Sequence, residues 1–172
     1  GIAKLYAQPS VKANPQAIEA IKNADIIIFG PGDLYTSILH NLVVEGIPQA
    51  ILKSNAKKIF ISNLMTSMGE TTGMNLQDLL DELENYIGAK VIGSVVVNSK
   101  ELPAEIVREY EKSRQFPVNI FLNDETKRRV KILEGNFLAD DMYVKSKSDV
   151  LQRSMLRHDP DKLGTKLVDL IR

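Results

Sequence analysis

Three short apolar runs divide the first hundred residues. Ile26, Ile27, Ile28 and Phe29 lead straight into Gly30; KKIFISNLM occupies 57–65 with Asn63 near its end; and VIGSVVVN occupies 91–98, ending on Asn98. Uninterrupted apolar runs of this length, closed by Gly or a small polar residue, predict strands buried on both faces, as in a parallel sheet. Between them the apolar positions recur at helical spacing. Asn14 and Pro15 form a cap and first-position proline ahead of Ala17, Ile18, Ala20, Ile21 and Ala24. Residues 34–44 alternate loosely enough for a helix, interrupted by Gly46 and Pro48, with a short second helix over 49–54. Asn75 and Asp78 have capping-box spacing, Leu76, Leu79, Leu80, Leu83 and Ile87 share one face, and Gly88 closes the helix.

The remaining pattern is less regular. IAKLY at 2–6 reads as a short strand, PVNIFLN at 117–123 as a strand or edge strand, and RVKILEGNFL at 129–138 as one more strand. Pro103 opens a helix with Ile106, Val107 and Tyr110 on one face. Asp159 and Pro160 cap a last amphipathic helix carrying Leu163, Leu167, Leu170 and Ile171, while residues 140–154 have no clear period. Strands alternating with helices, at spacings that fit βαβ units, predict one α/β domain with a mainly parallel sheet. Right-handed crossovers would bring residues 30–37, 63–72, Asn98 and Ser99 to one rim, where open α/β sheets bind ligands.

Composition narrows the function classes. The chain is 44% hydrophobic and 26% charged, as an ordinary globular domain is. Lys plus Arg and Asp plus Glu both total 22, so no net field draws it to nucleic acid or an acidic membrane surface. The absence of cysteine excludes disulfides and a thiolate nucleophile or metal ligand, and no apolar run approaches the roughly 20 residues of a membrane span. The simplest localisation is cytoplasmic.

The expected rim is rich in amides, hydroxyls and backbone N–H groups and poor in acid/base groups. Gly30 and Gly32 allow a ligand close to the backbone, and a helix start after them would favour an anion; a plain strand-to-helix turn is an equally consistent reading. Asn63 and Asn98 could read a sugar or base edge, and Thr66, Ser67, Thr71 and Thr72 could donate to phosphate oxygens, although such residues are also simply what loops contain. Asp33 and Glu70 are solvated loop acids or, with a phosphate, ligands of Mg²⁺. Arg157 and His158 precede the last helix, as an anion site or as neighbours of a cap. Neither a GxxxxGK[ST] loop nor GxGxxG after a strand is present, no Ser/His/Asp set can be assembled, and the catalytic residues are not defined.

GPGDLYTS at 30–37, NLMTSMGETTG at 63–73, VVVN at 95–98, RHDPDKL at 157–163 and ANPQAIEAIKNAD at 13–25 together resemble the bacterial gluconeogenesis-factor family (YvcK type), itself related to 2-phospho-L-lactate transferase, CofD. The resemblance runs over nearly the whole chain. It implies a Rossmann-like three-layer α/β sandwich, a homodimer, and a nucleotide sugar of the UDP-N-acetylglucosamine type as ligand in a regulator of carbon metabolism and cell shape. Carried over by position, the ligand residues are Gly30, Gly32, Tyr35, Thr36, Ser37, Asn63, Met65, Thr66, Glu70, Thr71, Arg157 and His158. The transferase side of the relationship implies instead a phosphorylated or nucleotide-activated donor held on the same rim with Mg²⁺. The family's order of motifs is preceded by a half with a GGTG-type nucleotide loop, which these 172 residues do not contain, so the chain is expected to be the C-terminal portion of a longer protein. His40 also departs from the family, which has proline there.

Overall fold

The computed structural model describes residues 1–140 and 154–171. Four strands, β1 (Ile26–Phe29), β2 (Lys57–Ile61), β3 (Ser94–Asn98) and β4 (Lys131–Gly135), form one sheet in the order β1-β2-β3-β4, every pair parallel. The register aligns Phe29 with Phe60, Phe60 with Val95 and Val95 with Ile132, so one set of alternate side chains lies in a row across the sheet.

That alternation assigns the two faces. Phe29, Phe60, Val95 and Val97 pack with a π-helical turn (Leu34–Leu39), α3 (Ile47–Lys53) and α4 (Leu76–Ile87). Ile59, Ile61, Val96 and Leu133 face the other way, onto Leu163, Leu167 and Leu170 of α7 (Pro160–Ile171). Helices cover both faces, which makes the three-layer α/β sandwich and explains why the strands read as continuous apolar runs rather than as alternating ones.

Local chemistry sets the helix ends. Asn14 Oδ1 accepts the N–H of Gln16 at 2.9 Å and starts α1 (Pro15–Asn23). Asn75 and Asp78 exchange reciprocal capping bonds of 2.9 and 3.1 Å at α4, and Gly88, at φ +94°, ends it in the left-handed conformation. The single turn α2 (His40–Leu42) continues the π-helical segment, and α5 (Ala104–Lys112) follows Pro103.

Two expected strands are absent from the sheet. Residues 2–6 form no strand, and Leu5 N–H instead donates to the Tyr86 hydroxyl at 2.7 Å. Residues 117–123 make one antiparallel bridge, Pro117 to Met65. Their carbonyls serve α4, Asn119 accepting from Leu76 N at 2.9 Å and Phe121 from Gln77 N at 3.0 Å. This segment thus satisfies N–H groups that a helix start leaves open. An unforeseen helix, α6 (Asp124–Arg129), is capped by Asn123, with acids in its first turn and Lys127, Arg128 and Arg129 in its last. Of the stretch without sequence period, residues 141–153 lie outside the described residues.

Candidate functional site

The carboxyl ends of β1 and β2 are built to lie close together. Gly30 follows β1 at φ +82°, ahead of a cis peptide to Pro31, and a Cβ on Gly30 would stand 3.0 Å from the Ile61 carbonyl oxygen at the end of β2. Only glycine meets both conditions. The next link is Asn63, whose Oδ1 accepts the Gly32 N–H at 3.1 Å and ties the glycine loop to the loop after β2. Ser67 Oγ donates to Asp33 Oδ1 at 2.5 Å, and Thr36 Oγ1 donates to Glu70 Oε1 at 3.3 Å, so the two loops are joined along their length.

The second loop is held from beneath by buried hydroxyls. Thr71 Oγ1 accepts the Ser67 N–H at 2.8 Å. Thr66 is paired with Phe116 through its N–H (2.7 Å) and its Oγ1 (2.9 Å), and its carbonyl accepts from Gln115 Nε2 at 3.3 Å. The third wall arrives by another route. Tyr110 of α5 places its hydroxyl against two backbone donors, Met155 N at 2.9 Å and Leu156 N at 3.2 Å, and so positions the segment that carries Arg157 and His158. Ala139 N–H donates to the Arg157 carbonyl at 3.0 Å and Asp159 N–H to that of Phe137 at 2.7 Å. Asp159 Oδ1 then accepts from Asp161 N and Lys162 N, both at 3.0 Å, as the cap of α7.

These three walls enclose a cavity of about 550 Å³. Gly32, Ser37, Asn63, Met65, Thr66, Arg157 and His158 all line it, together with Asp33, Ser67, Tyr110 and Gln115. The other candidates lie elsewhere. Gly30 shapes the loop one step behind the wall. Tyr35 is buried and donates its hydroxyl to Glu82 Oε1 at 2.9 Å; burial first, and then this carboxylate, push its phenol up to about 12. Thr36 and Glu70 bond each other outside the cavity wall, and Thr71 is buried beneath the loop. Asn98 accepts from Phe137 N at 3.0 Å and donates to the Lys100 carbonyl at 2.7 Å, at the wall of a smaller neighbouring cavity.

Tyr110, Gln115, Ser154 and Leu156 on the cavity wall escaped the sequence reading of the site. Gln115 carries no signal. Tyr110 does, because a tyrosine on an otherwise apolar helix face brings a hydroxyl that needs a partner when buried.

The chemistry on offer is hydrogen bonding with one fixed cation. Arg157 is exposed on the wall, and its Nε donates to the Ser154 carbonyl at 3.3 Å. His158 is half-buried; its Nε2 is shielded from solvent and has no hydrogen-bond partner among the described residues. Burial holds its imidazole below the ordinary histidine range, so the ring is neutral at pH 7 and offers one donor and one acceptor. Among the described residues no group of three or more His, Cys, Asp or Glu comes together. A Mg²⁺ that takes most of its ligands from phosphate and water needs only one or two carboxylates, which Asp33 on the wall, with one oxygen engaged by Ser67, can meet.

A parallel three-layer sheet with a polar cavity beyond its carboxyl ends is a Rossmann-like ligand-binding architecture. The chain belongs to the 2-phospho-L-lactate transferase CofD family, whose family model matches residues 1–138. It is 37% identical over 172 residues to the gluconeogenesis factor of Bacillus subtilis (strain 168), covering 99% of this chain and 51% of that protein. To the gluconeogenesis factor of Halalkalibacterium halodurans it is 34% identical over 169 residues, covering 98% of this chain and 49% of that one. A crystal structure of a Bacillus halodurans protein described as a member of the UPF0052 family superposes with a TM-score of 0.78 at 30% identity, over 91% of this chain and 46% of that one. A second crystal structure from that organism gives 0.83 at 30% identity, over 97% and 50%. The chain therefore spans about half the length of the relatives it matches. No helix among the described residues is long and apolar enough to cross a membrane.

Proposed function

We propose that the chain forms the ligand-binding rim of a regulatory protein of the gluconeogenesis-factor kind. It holds a nucleotide sugar of the UDP-N-acetylglucosamine type without turning it over, and the intact protein acts as a cytoplasmic homodimer linking carbon metabolism to cell-wall growth and cell shape. The observation that carries this reading is the convergence of three sequence-distant segments, at Gly32, at Asn63 to Ser67 and at Arg157 with His158, on one polar cavity of about 550 Å³. That volume is in the range of small-molecule sites. Arg157 would meet the pyrophosphate charge, a task for which a planar guanidinium is suited. Ser37 and Ser67 would donate to phosphate oxygens, and neutral His158 would exchange hydrogen bonds with an uncharged hydroxyl or amide.

A transferase acting on a phosphorylated or nucleotide-activated donor is the second reading, favoured by the family match. In that case Asp33 would hold Mg²⁺, and the ion would neutralise phosphate charge. Calorimetry of the intact protein with UDP-N-acetylglucosamine tests the first reading: saturable heat is expected, and neither heat nor thermal shift at millimolar ligand removes it. A product assay with Mg²⁺ and phosphorylated donors, 2-phospho-L-lactate among them, separates the two; turnover would make the protein an enzyme.

A further inference from the structure

The lining of the polar cavity falls into two groups, each held together by its own contacts. Gly32, Asp33, Asn63 and Ser67 are joined by hydrogen bonds between the two strand-end loops. Met65, Tyr110 and Leu156 form an apolar cluster, with the Tyr110 hydroxyl turned to the backbone N–H groups of Met155 and Leu156. Gln115 stands with the second group. Its Nε2 donates at 3.3 Å to the carbonyl of Thr66, the neighbour of Met65, and its backbone N–H donates to the Tyr110 carbonyl at 3.1 Å.

The chemistry of that pairing fixes the amide. A carbonyl only accepts, so the nitrogen of Gln115 is the atom that meets Thr66, and Oε1 is left without a partner among the described residues. The other amide oxygen on the wall, Asn63 Oδ1, is already engaged by Gly32 N–H. The backbone that delivers Gln115 is pinned on both sides. Arg114, at φ +54°, reverses the chain at the end of α5; its N–H donates to the Glu111 carbonyl at 2.9 Å, and its own carbonyl accepts from Thr72 Oγ1 at 3.3 Å. On the other side Phe116 N–H donates to Thr66 Oγ1 at 2.9 Å. An uncharged acceptor is therefore held in place at the wall beside apolar surface.

We infer that Gln115 is a specificity-determining residue, whose Oε1 accepts the ring N–H of the ligand's nucleobase. It selects bases that carry a hydrogen on that ring nitrogen, uracil or guanine, over cytosine and adenine. The inference rests on the proposed nucleotide-sugar reading and deepens it by assigning the base to the Met65, Tyr110 and Leu156 group and naming the residue that reads it. A planar base has apolar faces and a polar edge, so it is stabilised where hydrocarbon lies beside a matching hydrogen-bonding group. Phosphates are met instead by the hydroxyls of Ser37 and Ser67. The preference has a definite sign. Uracil offers a hydrogen to Oε1, whereas cytosine turns a bare ring nitrogen toward it, leaving two acceptors opposed and both unpaired.

Calorimetry of the intact protein with UDP and with CDP tests this, because the two differ in the base alone. UDP should bind about tenfold more tightly, as expected for a hydrogen bond made by one ligand and denied to the other. Gln115→Met is of similar length without an acceptor and should reduce that preference to less than about threefold. Gln115→Glu keeps an acceptor oxygen but loses the donor to Thr66; its charge should weaken both nucleotides while the preference for UDP is retained. If the ratio stays native in the methionine variant, or is lost equally in the glutamate one, Gln115 acts on Thr66 and not on the base, and the assignment falls. Equal affinity of the unsubstituted protein for UDP and CDP, or tighter binding of CDP, overturns it as well and leaves the ligand reading standing if UDP-N-acetylglucosamine still binds. Binding of none of the three overturns that reading and the assignment with it.

Discussion

Asn63 accepts the backbone N–H of Gly32 at 3.1 Å, the bond among those joining the loops after β1 and β2 that reaches the glycine turn itself. The bond crosses between two crossover units, and the residues on either side of it line the same cavity. Asn63→Ala should therefore cost about 1 kcal/mol of stability, the usual net worth of a hydrogen bond, and weaken ligand binding beyond that. Asn63→Asp keeps the acceptor and should restore the fold while adding a negative charge beside the phosphate position. The diagnostic pattern is an Asp variant with native melting temperature and reduced affinity for an anionic ligand. If both variants bind as the native chain does, Asn63 has no part in the site.

How much of this was legible beforehand follows from the physics of each segment. β2 and β3 could be read because both faces are buried, leaving Ile, Val and Phe in uninterrupted runs, and α4 because its leucine stripe and both caps are explicit. β1 was legible from the same kind of run, but it is an edge strand whose Ile28 is exposed, so the expected burial of both its faces does not hold. Residues 2–6 and 117–123 have strand composition, but composition cannot say whether an extended segment pairs in a ladder or, as here, serves a helix start and a tyrosine hydroxyl. α6 could have been found from Asn123 and the acid-to-base charge gradient behind it. At the site, the rim itself followed from the topology. The facing of individual residues did not: Tyr35, Thr36 and Ser37 are consecutive in a π-helical turn, and one goes to the core, one to Glu70 and one to the cavity.

His158 gives stability a pH dependence of definite sign. Burial lowers its pKa in the folded chain relative to the unfolded one, near 6.5, so the unfolded state binds the proton more readily. The contribution of the neutral ring is complete above about pH 7 and is lost as the pH falls through 6.5 toward the folded value. Denaturant melts between pH 7.5 and 5 should show stability falling, and His158→Gln should flatten that slope. Asp140 acts in a separate window. Lys100 and Lys162 hold its carboxyl down at about 2, so its contribution fades only below about pH 4. An unchanged slope in the glutamine variant would mean that other groups set the acid sensitivity.

The ion pair of Glu84 with Arg129 is the buried charge on which the β4 side of the core depends. Glu84 is 4% exposed, accepts from Arg129 through both carboxylate oxygens, and also accepts the Ile92 N–H at 3.0 Å. Arg129→Met would leave a carboxylate buried with a single backbone donor, at a cost of about 3 to 5 kcal/mol. Combining it with Glu84→Gln removes the charge, keeps an acceptor for Ile92, and should recover much of the loss. Chemical denaturation of the two variants provides the check, and a double variant no more stable than the single one would place the cost in packing rather than charge.

Tyr110 links the helix α5 to the segment that brings Arg157 and His158 to the cavity, through a hydroxyl that accepts from both Met155 N and Leu156 N. Tyr110→Phe preserves the ring and its packing against Met65, Leu138 and Leu156, but leaves two backbone donors without their acceptor, worth about 1 to 3 kcal/mol. The loss should be local. Hydrogen exchange at Met155 and Leu156 is expected to speed up markedly while exchange in β2 and β3 stays unchanged, because those strands are held by ladder bonds on both sides. Affinity for an anionic ligand should fall together with that local protection, since Arg157 and His158 ride on the loosened segment. Arg157→Ala serves as the control: it should weaken the same binding with native protection at Met155 and Leu156. Faster exchange with full affinity in the phenylalanine variant would show that the segment finds its place without Tyr110.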